Sequence, residues 1–220
     1  MKYSVSEENY IKAIFHLQQE DGTVTTNELA RVLDAKPASV TDMMKKMKTK
    51  KLVNYQPYYG FRLTADGRKV ALGIIRRHRL WEYFLSEKLK FSWDEVHEVA
   101  EHLEHVSSNK LIEKLDGFLG FPKFDPHGDP IPDTNGKMEN TKQLSLPELP
   151  VNKVTRVCHV GNQSAGLLEL LRHKKISIGS RLEVKKKFSF DNSLEIKIGN
   201  QSPFIISEQL AKNIFVKYGP

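Results

Sequence analysis

The sequence is poor in cysteine and contains no long apolar run. Cys158 is the only cysteine among 220 residues, which excludes an intramolecular disulfide and a cysteine-rich zinc site. No apolar stretch approaches the roughly 18 residues that a membrane span requires, and the opening MKYSVSEENY lacks the charged-then-apolar order of a secretory signal. We therefore expect a cytoplasmic protein with no membrane partner. Any metal site in it uses histidine, carboxylate, amide or thioether ligands.

The charge of the chain changes sign along its length. Residues 1–75 carry 12 Lys and Arg against 8 Asp and Glu, residues 76–139 carry 9 against 13, and residues 140–220 carry 13 against 6. The net charge of +7 therefore combines two basic ends with an acidic middle. A basic segment suits a polyanion and an acidic segment suits cations, although both are also typical of solvated faces.

The N-terminal segment has the pattern of three helices followed by a hairpin. SEENYIKAIFHLQQE has apolar residues at helical spacing, and Thr25 with Glu28 gives a capping-box signal for a second helix. Pro37 suits the first turn of a third helix. Two β-prone runs between residues 52 and 64 then flank turn residues. This order predicts a winged helix-turn-helix unit in residues 1–70.

The third helix of this unit, which begins near Pro37, is strongly basic. From Lys36 to Lys51 it carries six lysines against Asp42 alone. The start of such a helix faces base edges in the major groove, while lysines and wing residues contact phosphates. The candidates for base contact are Lys36, Ala38, Ser39, Thr41 and Asp42, and those for backbone contact are Lys45, Lys46, Tyr58 and Tyr59. Pro37, at the start of the helix, is also counted among the DNA-binding residues. The alternative is a basic solvated helix in a domain that binds another protein.

Helices and then short strands follow the winged unit. The apolar periodicity predicts helices over about 65–87, 92–106 and 108–119. Six of the ten prolines then lie between residues 120 and 150, and short β-prone runs surround the helix-like AGLLELLRHK. The predicted fold is α+β, with a helical domain at 71–135, a linker at 136–150 and a small β-barrel at 151–220.

Histidine and glutamate residues cluster in the acidic middle of the chain. At 100° per residue, one face of a helix carries His97, Glu101, Glu104 and His105. The preceding helix offers His78 and Glu82 as an i,i+4 pair. Nitrogen and oxygen ligands without a thiolate suit Mn, Fe(II), Co, Ni or Zn. A His–Glu pair at this spacing is also common as a surface ion pair, and His127, in the turn DPHGDP, is expected to satisfy backbone groups.

The segment HEVAEH superficially resembles the HExxH helix of zinc proteases. That motif places two histidines four residues apart so that both face one metal. Here His97 and His102 are five residues apart and point about 140° from each other. We also find no nucleophile elbow, phosphate loop or dinucleotide fingerprint. The chain is therefore not expected to be an enzyme, and a metal-dependent hydrolase is the enzymatic alternative.

Several segments together resemble one known family. The chain contains ENYIKAI, KPASVTDMMKKM, GFRLTADG, RRHRLWE, VHEVAEHLEHVSS and LGFPKFDPHGDPIP. These resemble the diphtheria toxin repressor family of metal-dependent transcriptional regulators, most closely its manganese-responsive members with an SH3-like C-terminal domain. The resemblance implies a homodimer that binds a palindromic double-stranded DNA operator when loaded with metal and represses metal-uptake genes. It assigns dimerisation and metal binding to residues 71–135 and the SH3-like domain to residues 151–220.

The resemblance also implies two metal sites. The primary site takes Glu101, Glu104, His105 and, where the family has Met or Asp, Asn9. Glu8 or a water is the alternative to Asn9. The ancillary site takes His78, Glu82 and His97, and Gln163 lies near a further family ligand position.

Two positions bear on the number and the kind of metal. Lys12 stands where the binuclear manganese subtype has a carboxylate, so two separated sites are expected. Glu101 stands where iron-responsive members have cysteine, and its hard oxygen favours Mn²⁺, with Fe²⁺ as the alternative.

The competing interpretation of the whole chain is a winged-helix regulator that responds to a small organic ligand, in which the His–Glu pairs are structural ion pairs.

Overall fold

The computed structural model describes residues 3–18, 22–56, 59–106, 108–139, 142–161 and 164–217. Within these ranges the helices are α1 (Val5–Leu17), α2 (Thr26–Val32), α3 (Pro37–Thr49), α4 (Ala65–Glu87), α5 (Val96–Leu103), α6 (Asn109–Phe118), α7 (Ala165–His173) and α8 (Glu208–Lys212). The strands are β1 (Val53–Gln56), β2 (Gly60–Leu63), β3 (Gln143–Ser145), β4 (Val154–Val160), β5 (Arg181–Lys187), β6 (Leu194–Ile198), β7 (Phe204–Ile206) and β8 (Ile214–Lys217). Among the described helices, none has the length and apolar character of a membrane span.

Contacts divide the chain into two units. The first comprises Met1–His78, Glu101–Lys114 and Pro132–Lys137. The second comprises Arg79–Ala100, Leu115–Ile131 and Met138–Pro220. Helices α4 and α5 each contribute to both units, so the segment assigned to one helical domain from the sequence is shared between them.

Helices α1–α3 and the β1–β2 hairpin form a winged helix-turn-helix fold in the first unit. Capping boxes start α1 and α2, with Ser4 pairing with Glu7 and Thr25 with Glu28, and Pro37 occupies the first turn of α3. The hairpin pairs β1 and β2 in antiparallel register. Apolar residues of the three helices and the hairpin form one buried core. These elements confirm the fold expected for the N-terminal segment.

Helix α5 is shorter than the predicted helix over 92–106. A turn precedes it, in which the Glu95 N–H donates to the Ser92 carbonyl and the Glu95 carboxylate accepts from the Ser92 backbone N–H and hydroxyl. At the other end the Val106 N–H donates to the Leu103 carbonyl, three residues back, which closes a tighter turn. Glu104 and His105 therefore lie just beyond the helix, where helical angles do not set their directions.

The C-terminal strands form one six-stranded sheet in the order β3-β8-β4-β5-β6-β7. Strand β4 changes partner midway, because residues 154–156 pair with β5 and residues 157–160 pair with β8. Such a change is typical of a strand at a corner between two packed sheets. Within the described residues the sheet has β3 and β7 as its edges, so the predicted small barrel is not closed.

The segment predicted as a linker over 136–150 belongs partly to this C-terminal fold. Strand β3 pairs with β8, and a 3₁₀ turn over Leu146–Glu148 follows it. Leu146 and Leu149 are fully buried in the same apolar core as the sheet and helices α7 and α8. Of the six prolines that indicated a linker, only Pro147 and Pro150 lie at this turn, which is anchored by the two leucines.

Candidate functional site

The N-terminal end of α3 is open to solvent. Lys36, Pro37, Ala38 and Ser39 are exposed. The Thr41 hydroxyl donates to the Pro37 carbonyl at 3.0 Å, and Asp42 forms an exposed ion pair with Lys45 at 3.2 Å. The core-facing side of the same helix carries Val40, Met44 and Met47, all fully buried, so the basic face is directed outwards. On the wing, Tyr59 is 74% exposed, whereas Tyr58 lies outside the described residues.

Two lysines of this region are held by a buried carboxylate of α1. Glu7 is 1% exposed, and its Oε1 lies 3.1 Å from Lys46 Nζ and 2.7 Å from Lys50 Nζ. Burial alone would raise the pKa of Glu7. Hydrogen bonds from Lys50, the Ser4 backbone N–H and Lys46 outweigh it and lower the pKa to about 2. Lys46, a candidate for backbone contact, is therefore also part of the link between α1 and α3.

Glu7→Gln is expected to destabilise the winged unit by about 1–2 kcal/mol at pH 7, after allowance for solvent screening of the partly exposed lysines. Because the folded pKa lies below the unfolded value, this stabilisation is complete above about pH 4.5 and is lost as the pH falls towards 2. Urea unfolding of wild type and variant checks this. The stability difference should shrink at pH 3, and equal stabilities at pH 7 would contradict the role of Glu7.

A cleft of about 720 Å³ in the first unit is lined by α1, the C-terminal end of α2 and residues 101–105. Asn9 from α1 lines it together with Glu101, Glu104 and His105. Asn9 and Glu101 are exposed, and Glu104 is 1% exposed. The four residues assigned to the primary metal site thus line one cleft.

His105 is oriented by a second carboxylate of α1. Its Nδ1 lies 2.7 Å from Glu8 Oε2, and Glu8 is in turn held by Arg77 Nη2 at 3.0 Å. Because a carboxylate only accepts, the Nδ1–H donates to Glu8 and leaves Nε2 as a ligand atom. His105 Nε2 lies 3.7 Å from Glu104 Oε1. Carboxylates commonly hold the outer nitrogen of metal-binding histidines in this way. The geometry thus places Glu8 on the Nδ1 side of His105.

The other oxygen of Glu104 faces cationic and imidazole groups. Oε2 lies 2.6 Å from Lys12 Nζ and 2.6 Å from His78 Nδ1. Burial raises the pKa of Glu104, but the hydrogen bond with His78 and the charge of Lys12 prevail and lower it. His78, which was assigned to the ancillary site, thus contacts the primary-site residue Glu104.

A second set of ligand atoms surrounds Glu82 in the second unit. Glu82 Oε1 lies 3.1 Å from His97 Nδ1 and 3.8 Å from His127 Nδ1. One ligand atom from each of Glu82, Asp125 and His127 lies within 4.8 Å of the others, and all three residues are buried. The structure thus joins the predicted pair Glu82 and His97 to Asp125 and His127.

The protonation of His127 suits metal binding. Its Nε2 lies 3.0 Å from the Trp93 carbonyl oxygen, which only accepts, so Nε2 carries the hydrogen and Nδ1 keeps its lone pair. Burial lowers the pKa of His127 and keeps the ring neutral. Burial and the neighbouring charge of Glu82 raise the pKa of Asp125. A backbone carbonyl behind the outer nitrogen is a common support for a histidine ligand.

The turn that carries His127 is fixed from two sides. Asp125 Oδ1 accepts from the backbone N–H groups of His127 and Asp129 at 2.8 and 2.9 Å. Gly128 has φ +88°, and a Cβ there would lie 1.9 Å from the Cys158 carbonyl oxygen of β4. Only glycine therefore fits at this position.

Both clusters have donors that fit a divalent cation. Among the described residues, neither Asp125 Oδ2 nor His127 Nδ1 has a hydrogen-bond partner, although Arg79 Nε lies 3.6 Å from Asp125 Oδ2 as an ion-pair partner. A buried polar atom without a hydrogen bond, such as His127 Nδ1, usually has an ion or water as partner. Asp125 and His127 were not predicted as ligand candidates, because the prolines and glycine around them indicated a turn. The available signal was the three polar side chains inside DPHGDP. Gln163 lies outside the described residues.

The fold and these clusters indicate a class of protein, a DNA-binding regulator that carries candidate metal ligands. Residues 2–61 match the family "Iron dependent repressor, N-terminal DNA binding domain". Residues 64–133 match "Iron dependent repressor, metal binding and dimerisation domain", and residues 144–218 match "FeoA domain".

Relatives and solved structures give the same result. The chain is 36% identical over 117 residues to an uncharacterized HTH-type transcriptional regulator of Methanocaldococcus jannaschii, covering 53% of this chain and 94% of that protein. It is 27% identical over 183 residues to the diphtheria toxin repressor of Corynebacterium jeikeium, covering 82% and 76%. A manganese-dependent transcriptional repressor in complex with manganese has a TM-score of 0.85 at 31% identity, covering 96% of this chain and 99% of that one. ScaR with bound Cd²⁺ has a TM-score of 0.80 at 29% identity, covering 96% and 98%.

The chain therefore belongs to the diphtheria toxin repressor family of metal-dependent transcriptional repressors, as its motifs predicted. This family consists of DNA-binding regulators rather than enzymes. The FeoA match over the C-terminal sheet agrees with the SH3-like fold expected for that region.

Proposed function

We propose that this protein is a Mn²⁺-activated repressor, with Fe²⁺ as the alternative metal, that binds a palindromic operator as a homodimer and controls metal-uptake genes. Such a protein acts on DNA in the cytoplasm. The observation that carries the proposal is the cleft in the first unit, which Asn9 of α1 lines together with Glu104 and His105. A cation held there attaches the winged unit to the segment after α5. This attachment restricts the orientation in which α3 is presented to DNA.

The residues divide into two proposed sites per chain. The primary site uses His105 Nε2 and Glu104 Oε1, with Asn9 and Glu101 completing the ligand set from the rim of the cleft. Glu8 and Arg77 keep the His105 ring in place. The ancillary site uses Glu82, His97, Asp125 and His127, with His78 one helical turn before Glu82 as the resemblance implies.

The choice of metal follows from ligand chemistry. Both sites offer carboxylate, amide and imidazole groups and no thiolate, a set that suits Mn²⁺ and Fe²⁺. Zn²⁺ and Co²⁺ bind such ligands more strongly and are expected to occupy the sites in vitro. The bound metal supplies positive charge shared between α1 and the residues after α5.

Two substitutions on α3 separate phosphate contact from base contact. Lys45→Ala is expected to weaken binding to all duplexes about equally. The slope of log K against the logarithm of the salt concentration should become less steep by roughly 0.9 for each lost phosphate contact. Ser39→Ala is expected to change discrimination between operator variants by about 1–3 kcal/mol. Fluorescence anisotropy at several salt concentrations measures both effects, with Lys110→Ala, an exposed lysine on α6, as control. An unchanged slope in Lys45→Ala would show that Lys45 does not contact a phosphate.

The proposed function is tested by operator binding with Mn²⁺, with Fe²⁺ under anaerobic conditions and with a chelator. Mn²⁺ should raise the affinity by about 5- to 150-fold, the range typical of coupling between two sites, and the chelator should reverse it. Sedimentation of the complex should give dimers on DNA. Affinity that is the same with Mn²⁺ and with chelator would refute the proposal.

A second candidate is a winged-helix regulator that responds to a small organic ligand. The volume of the cleft, about 720 Å³, lies in the range of small-molecule sites and favours this alternative. The same titration distinguishes the two, because an organic-ligand regulator keeps its DNA affinity when metal is chelated.

A further inference from the structure

Lys12 of α1 places its ammonium group among groups that would suit a metal ion. Its Nζ lies 2.6 Å from Glu104 Oε2, 3.4 Å from His78 Nδ1 and 3.6 Å from Glu101 Oε1. The Lys12 side chain is 13% exposed and that of Glu104 is 2% exposed. The contact is therefore largely removed from water, unlike a surface ion pair. Two carboxylates and one imidazole around a cation are also a typical set of Mn²⁺ ligands.

Glu104 divides its two oxygens between two sides of the cluster. Oε2 contacts Lys12, while Oε1 lies 3.7 Å from His105 Nε2. With a metal ion bound on the His105 side, this carboxylate would have a cation on each side, which is the arrangement of a two-metal site with ions about 3.5–4 Å apart. Here one of the two positions holds a positive charge that is covalently attached to α1.

We propose that the Lys12 ammonium group is a built-in cation that replaces a second metal ion beside Glu104. This inference rests on the proposed metal-dependent function and describes how the same site is regulated. The cluster then takes one exchangeable ion, on the His105 side, because a divalent ion at the other position would be repelled by the fixed charge.

The same contact joins α1 to residue 104 through a direct ion pair. Lys12 contacts Glu104 with no metal ion as intermediary, so this link does not depend on metal loading. It should contribute to operator affinity with and without metal, and a bound metal adds a second link.

Lys12→Glu tests the number of ions by replacing the cation with a ligand. Equilibrium dialysis with Mn²⁺ should give one more ion per chain than wild type. The electron paramagnetic resonance spectrum of bound Mn²⁺ should show exchange coupling between neighbouring ions. Lys110→Glu makes the same charge change at an exposed position of α6 and should keep the wild-type number. An unchanged ion count in a folded Lys12→Glu protein, or an exchange-coupled spectrum in wild type, would overturn the proposal.

Lys12→Met tests the metal-free link and does not depend on an added carboxylate. It should lower operator affinity in the presence of chelator by about tenfold, a modest coupling between sites, and change the Mn²⁺-loaded affinity much less. Equal metal-free affinities of wild type and variant would contradict the inference. Because counting ions requires no DNA, Lys12→Glu decides the role of Lys12 even if wild-type affinity proves independent of Mn²⁺, a result that would overturn only the proposed function.

Discussion

His105→Ala is expected to bind Mn²⁺ at the primary site at least about 100-fold more weakly and to lose Mn²⁺-activated operator binding. Loss of an outer partner of a metal-binding histidine typically costs 10- to 100-fold in affinity, so removal of the ligand itself should cost at least as much. The variant should stay folded, because α5 packs through Val96 and Ala100. Calorimetric Mn²⁺ titration and an operator titration measure the two effects.

His102→Ala is the matched control for this variant. His102 is an exposed histidine of the same segment, and its side chain has no assigned role as a ligand. It should keep Mn²⁺ affinity and operator binding close to wild type. Wild-type behaviour of His105→Ala would remove His105 from the site.

Glu82→Gln is expected to eliminate the ancillary ion and leave the primary one. Glu82 Oε1 lies 3.1 Å from His97 Nδ1 and 3.8 Å from His127 Nδ1, close enough for all three atoms to bind one ion. The amide of glutamine has no negative charge to offset that of a divalent ion held by two neutral imidazoles. Equilibrium dialysis should therefore give one Mn²⁺ fewer per chain. Glu98→Gln, at an exposed position of α5, is the control. A wild-type ion count in Glu82→Gln would exclude this site.

His127→Gln and His97→Gln then identify the ligands around Glu82. Both variants should weaken the ancillary ion, because each removes an imidazole within 4 Å of Glu82 Oε1. If His127 serves only to satisfy the Trp93 carbonyl, His127→Gln should keep the wild-type count, since the amide N–H also donates. That result would restore the ligand set assigned from the family resemblance.

Local sequence signals predicted the winged unit well. Capping boxes at Ser4 and Thr25, Pro37 at the start of α3 and the spacing of apolar residues all act over a few residues, and the structure contains each of them. The linker predicted over residues 136–150 is not an open segment from residue 143 onwards. Its prolines suggested one, but the burial of Leu146 and Leu149 depends on strands far away in sequence.

The candidate site was predictable as a set of residues but not as a geometry. A helical projection placed Glu101, Glu104 and His105 on one face, yet α5 ends at Leu103 and the side chains of Glu104 and Glu101 differ greatly in burial. The position of Lys12 beside Glu104 joins residues 92 positions apart, which no local pattern encodes. No local pattern predicted Asp125 and His127 as ligand candidates either, because their neighbour Glu82 belongs to a helix distant in sequence.

Anomalous scattering from crystals grown with Mn²⁺ tests the central claim most directly, namely that metal joins α1 to the segment after α5. We expect one peak at coordination distance, about 2.0–2.3 Å, from His105 Nε2, Glu104 Oε1 and the Asn9 side-chain oxygen of α1, and a separate peak beside Glu82. Lys12 should remain in contact with Glu104 Oε2. A map without a peak beside His105, or with two peaks that share Glu104 and displace Lys12, would contradict the account.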